Sequence, residues 1–101
     1  MRSVRAFPDD ARRESGHQLN RVQQGVDPND WKPMTTIGPG VREIRVRLEG
    51  QFRILYIARL PDAVYVLFAF EKKSQKTPQR ELQLATDRLH LILEERRRQR
   101  K

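Results

Sequence analysis

The chain has 101 residues, 34% of them charged and 37% hydrophobic, and its 21 Lys plus Arg against 13 Asp plus Glu give a formal net charge of +8. That length supports one hydrophobic core and excludes two independent ones, so residues 1–101 read as a single domain with flexible ends at 1–6 and 96–101. The absence of cysteine excludes disulfides, thiolate metal sites and cysteine nucleophiles.

Pro8 suits a first helical turn, and Asp9, Asp10 and Glu14 complement the positive end of a helix dipole. The spacing predicts a helix from Pro8 to Gln24, with Ala11, Ser15, Leu19 and Val22 on one face, stopped by Gly25 and Pro28. Residues 25–40 hold three prolines and three glycines and read as an ordered connection pinned to the core by Trp31, Met34 and Ile37. Trp31 is read as a packing anchor rather than a base-stacking platform.

From Val41 to Phe70 the period changes to two. Ile44, Val46 and Leu48 alternate with Glu43, Arg45 and Arg47, which predicts a half-buried strand. In Phe52 to Arg59, Phe52, Ile54 and Tyr56 oppose Arg53, Leu55 and Ile57, so both parities are partly apolar and the segment reads as a central strand. After a turn at Pro61 and Asp62, Val64 to Phe70 is apolar throughout, as expected of a strand covered on both sides. The three form an antiparallel meander. Glu71 to Lys76 is a basic loop, after which Thr77 and Pro78 can open a helix whose stripe is Leu82, Ala85, Leu89, Ile92 and Leu93. This helix should pack on the sheet, giving an α+β fold. The longest apolar run, Val64 to Phe70, falls far short of the ~20 residues of a membrane helix, and the polar N-terminus lacks a signal-peptide core. A soluble, cytoplasmic protein with no membrane partner is expected.

Residues 1–50 carry a net charge of +2 and residues 51–101 one of +6, and arginine outnumbers lysine sixteen to five. A pI near 10.8 points to a polyanionic partner, and the planar guanidinium suits phosphate. His17 and His90 are isolated, so no metal-ligand cluster is visible. Gly38-Pro39-Gly40 lacks the Lys-Ser/Thr of a phosphate loop, and Ser3, Ser15 and Ser74 sit in no nucleophile elbow. What remains is a set of cations on adjacent strands: Arg45, Arg47 and Arg53, then Lys72, Lys73 and Lys76. Fixed cations around a phosphodiester would stabilise the charge that develops when a 2′-hydroxyl attacks phosphorus, with no metal or cofactor. The same pattern also describes the solvent face of a sheet, and strand alternation does not separate the two readings.

The stretch from Val41 to Tyr56 (VREIRVRLEGQFRILY), preceded by W-K-P-M at Trp31 to Met34 and followed by V-L-F-A-F-E-K-K-S-Q-K-T-P from Val66 to Pro78, resembles the RelE/ParE toxin superfamily. Within it, the order of motifs is similar to the phage-derived HigB-like branch. The resemblance runs from about Phe7 to Leu93. It implies a type II toxin: a small mRNA endonuclease acting at the ribosome, neutralised by an antitoxin that in this branch is usually a helix-turn-helix protein from the adjacent gene. By position, Arg45 and Arg53 match strand arginines that stabilise the scissile phosphate, and Lys72 and Lys73 match a catalytic basic pair. Arg47 and Lys76 fall among the RNA-binding positions. The sequence departs from the pattern in two places. Relatives begin with an additional N-terminal strand that has no match here, so that either the strand is missing or the start is misplaced, and many carry a histidine where Phe68 stands. The resemblance therefore leaves two alternatives, a ParE-like toxin that inhibits a protein target such as gyrase without catalysis, and an inactive truncated remnant.

Overall fold

Residues 52–57 are buried without a break, which a strand covered on one face only does not achieve; the chain meets this demand by placing a helix on each side of the strand that contains them. A computed structural model describes residues 4–59, 63–73 and 79–99. A 3-10 turn (Val4–Ala6) leads to helix α1 (Asp9–Gln23), strands β1 (Trp31–Pro33), β2 (Val41–Arg47), β3 (Gln51–Arg59) and β4 (Ala63–Glu71), and helix α2 (Gln79–Gln99). The strands form one antiparallel sheet in the order β1-β2-β3-β4. The fold is α+β, and β3 is central, as its two apolar parities predict.

Each face of the sheet carries its own core. Val41, Leu55, Ile57, Leu67, Phe68 and Phe70 pack with Ala85, Leu89 and Ile92 of α2 and with Ile37 of the preceding connection. Ile44, Val46, Phe52, Ile54, Tyr56 and Ala69 pack with Ala11 and Val22 of α1 and with Phe7, whose ring lies 4.8 Å from that of Phe52. β4 serves both cores by alternation, and its register against β3 shifts between Leu55 and Tyr56: Leu55 faces Phe68 while Tyr56 faces Val66. The extra residue, Leu67, is fully buried on the α2 side. The strand reads as a continuous apolar run because both of its faces are covered; the bulge adds Leu67 beside Phe68 on one of them.

Several expectations need correction. The sheet has four strands, not three: β1 emerges from the 25–40 connection, where Pro33 and the turn residues mask so short a strand, and its ladder runs from Trp31 opposite Ile44 to Pro33 opposite Arg42. Ahead of α1 the described residues form a turn, closed by the Phe7 N–H donating to the Val4 carbonyl at 3.0 Å; they form no strand. Pro8 stands just outside α1 as its N-cap. Leu48 is exposed, because β2 ends at Arg47 and the Leu48 N–H already bonds the Gly50 carbonyl at 2.9 Å in the turn to β3. Trp31 is only half-buried; its ring is covered by the Arg42 guanidinium at 4.0 Å, a cation–π contact at the sheet edge. The run from Arg96, expected to be a flexible end, continues α2 to Gln99, and Arg96 donates to the Tyr65 hydroxyl at 3.2 Å. Pro61, Asp62, Thr77 and Pro78 lie outside the described residues. No helix among the described residues is long and apolar enough to cross a membrane.

α1 ends as the Gly25 signal predicts. Gly25 adopts φ +81°, its N–H bonds the Val22 carbonyl at 3.0 Å, and the Val26 N–H bonds the Arg21 carbonyl at 2.9 Å, a Schellman closure. A methyl group added at Gly25 meets no atom within 4 Å, so Gly25→Ala is expected to cost only the left-handed backbone penalty, about 1 kcal/mol. Thermal melting should show a Tm lowered by about 4–8 °C. On the same side of the sheet, burial pushes the Tyr56 phenol up, opposed by Arg42. The neutral phenol is thus favoured in the folded state, and its stabilisation is complete below the ordinary value of about 10 and lost as pH rises through the raised one. Urea titrations at alkaline pH should find the Tyr56→Phe variant losing less stability than the parent.

Candidate nucleic-acid interface

Side chains two apart on a strand share a face, so Glu43, Arg45 and Arg47 project to the same side as Val41, the side that α2 covers. α2 closes over β4 and the Leu55–Ile57 end of β3, leaving the far end of this face to polar groups. Register then sets two rows across the sheet. In one, Arg45 of β2 stands directly opposite Arg53 of β3, which in turn faces Phe70. Asp30 extends this row beyond β1, its carbonyl accepting the Arg45 N–H at 2.8 Å. In the next row Lys32 faces Glu43, and Glu43 faces Leu55.

The rows form an alternating charge pattern. The Asp30 carboxylate lies between two guanidinium groups, Oδ1 at 3.2 Å from Arg45 Nε and Oδ2 at 3.5 Å from Arg47 Nε. Glu43 Oε1 sits 3.7 Å from Arg53 Nε and 3.9 Å from Lys32 Nζ. Glu43 is 1% exposed and Arg53 4%, so neither behaves as the solvent-face residue its alternation implied. Arg53 is held further by donating to the Phe52 carbonyl at 3.2 Å and to Gln51 Oε1 at 3.0 Å. Burial lowers the Arg53 pKa, Glu43 opposes that, and Arg45 and Arg47 add to the lowering. Both Glu43 oxygens and the Nε atoms of Arg45 and Arg53 are buried without an aligned hydrogen-bond partner, so these groups are compensated by charge more than by directed bonds.

The remaining predicted residues fall around this network. Arg47 is the open cation, its side chain 63% exposed. Lys72 follows β4 and is tied to the same corner, its N–H bonding the Gln51 carbonyl at 2.7 Å, beside the Gln51 side chain that holds Arg53. Lys73 follows it and is exposed; Lys76 lies outside the described residues. Phe68, where many relatives carry a histidine, is buried in the α2-side core. His17 and His90 are both exposed. Among the described residues no group of three or more His, Asp or Glu is placed to hold a metal ion. Sequence reasoning missed Asp30, Lys32 and Glu43 as members of the site. For Glu43 a signal existed, since it occupies the parity of Val41 and Leu55; Lys32 lies in an unrecognised strand and Asp30 just ahead of it.

What the network can do chemically follows from its asymmetry. The buried Glu43–Arg53 pair is fixed, whereas Arg45 and Arg47 face a half-exposed carboxylate and solvent and are the groups available to an anion. Removing one member of a buried pair strands the other charge, so Glu43→Gln is expected to destabilise the fold by about 3 kcal/mol. Replacing both residues with apolar ones of similar volume, Glu43→Leu with Arg53→Met, should recover most of that loss in urea denaturation.

Comparison with curated proteins and with solved structures found no match. Residues 2–90 match the family described as phage-derived protein Gp49-like (DUF891), a span that contains the sheet, α1, most of α2 and all members of the charge network described above. The chain therefore belongs to the phage-derived Gp49-like family, within the RelE/toxin-like superfamily.

Proposed function

We propose that this chain is the toxin of a type II toxin–antitoxin pair, of the HigB-like kind, and that it is a metal-independent endoribonuclease that cuts mRNA at the ribosome. The observation that carries this reading is the convergence of Arg45, Arg47 and Lys72 on one corner of the sheet in a chain whose family commonly supplies toxins. In the proposed reaction the 2′-hydroxyl of one nucleotide loses its proton and attacks the adjacent phosphorus, the P–O5′ bond breaks as the 5′-oxygen takes up a proton, and the products are a 2′,3′-cyclic phosphate and a 5′-hydroxyl. Arg45 and Arg47 hold the non-bridging oxygens and are better matched to the dianionic transition state than to the monoanionic ground state. Lys72 and Lys73 supply cations on the leaving-group side, where crowded lysines also serve proton transfer. Arg53 acts from behind, as a buried charge that orients its cross-strand neighbour Arg45. The substrate places the action in the cytoplasm, and the partner is an antitoxin of the helix-turn-helix kind.

A specific feature favours a second reading. Arg53 is 4% exposed and bonded to Phe52 and Gln51, so it does not reach a substrate phosphate from its present position. A ParE-like toxin that blocks a protein target such as gyrase would need no such reach.

Brief induction followed by primer extension distinguishes these. The endonuclease reading expects new mRNA 5′ ends aligned with codons, and a Lys72→Ala, Lys73→Ala variant cutting more slowly by about 100-fold. Growth arrest with intact mRNA and impaired supercoiling would establish the gyrase reading instead, and induction without arrest would mark an inactive remnant.

A further inference from the structure

Asp30 performs no role in the reaction sketched above, yet it occupies the centre of the cation cluster. Its carboxylate spans Arg45 and Arg47, one oxygen to each, which is how a phosphodiester would present its two non-bridging oxygens to the same pair. Its placement is not a matter of side-chain chance: its backbone carbonyl is pinned by the Arg45 N–H at 2.8 Å, so the carboxylate is delivered to the fork by the sheet itself. The carboxylate is also loosely held. Its side chain is 41% exposed, and Arg45 Nε, although 3.2 Å away, makes no aligned hydrogen bond. Glu43 is the opposite case, buried and enclosed by β1, β2 and β3.

We infer that Asp30 is a built-in competitor for phosphate: RNA enters the Arg45–Arg47 fork by displacing the Asp30 carboxylate. The inference rests on the nucleic-acid reading of this face. Its consequence is a threshold for binding. A carboxylate tethered beside the fork acts at a high effective concentration, so a ligand with one phosphate competes poorly. A polynucleotide gains additional contacts at Lys72 and Lys73 and wins the exchange. Asp30 thereby raises the number of phosphates a ligand must bring to occupy the fork at a given concentration, a threshold that RNA chains pass and mononucleotides do not.

Binding of a 2′-O-methyl RNA oligonucleotide, which cannot be cleaved, tests this directly. Asp30→Asn keeps the volume and the backbone bond but removes the competing charge. It should bind about three- to tenfold more tightly than the parent, the range expected for releasing two partly exposed ion pairs. It should also show a steeper salt dependence, since in the parent the displaced Asp30 carboxylate takes up cations that offset part of those the RNA releases. In an Arg47→Ala background most of that gain should vanish. If Asp30→Asn reduces folding, as judged by circular dichroism, Asp30→Ser carries the same expectation. Equal or weaker binding by a folded Asp30 variant, with the parent binding RNA, overturns the competitor role and leaves the nucleic-acid reading standing. A parent that does not bind the oligonucleotide overturns both.

Discussion

Two arginines directly opposite each other in adjacent strands are the constraint around which one half of this protein is organised. Arg45 and Arg53 are register partners in β2 and β3, and like charges in that relation repel at close quarters. Moving either residue by one position would turn its side chain into the α1-side core and expose an apolar neighbour, so the hydrophobic pattern of the strands holds the repulsion in place. The remedy comes from two places. Asp30, just ahead of β1, stands level with Arg45, and Glu43 of β2 itself reaches Arg53, so that each arginine meets a carboxylate.

The sheet divides its labour along its length as well as across its faces. α1 covers one face and α2 part of the other, and β4 supplies Val64, Val66 and Ala69 to the first and Leu67, Phe68 and Phe70 to the second. Where α2 does not reach, the face is charged. The same β2 thus contributes Val41 to a core at one end and Arg47 to solvent at the other, a transition made in seven residues without any break in alternation.

Within the charged end, burial separates structural from available groups. Arg53 and Glu43 are sequestered with few directed bonds, a costly arrangement that persists because each neutralises the other. Arg45 and Arg47 share an exposed carboxylate, Arg47 in the open and Arg45 partly exposed, so an anion reaching this face meets them before Arg53. Membership in the Gp49-like family and this division of cations bear on the toxin reading from independent directions.

The sequence by itself determined the α+β class, the central position of β3, the α2 stripe from Leu82 to Leu93, and the glycine that ends α1. These rest on periodicity and on backbone conformations that only certain residues adopt, both of which are local. It also singled out Arg45, Arg47, Arg53, Lys72 and Lys73 as cations of interest, through strand parity and through family motifs. Only the tertiary structure decided which of them face solvent. Alternation assigns a residue to a side of a sheet but does not say whether that side is covered, and Glu43 and Arg53 lie on a side covered by neighbours distant in sequence. Nor did local pattern disclose β1, since a three-residue strand containing a proline carries almost no periodic signal and exists because β2 offers it a ladder. Asp30, the residue that meets both accessible arginines, entered the site by that long-range pairing alone.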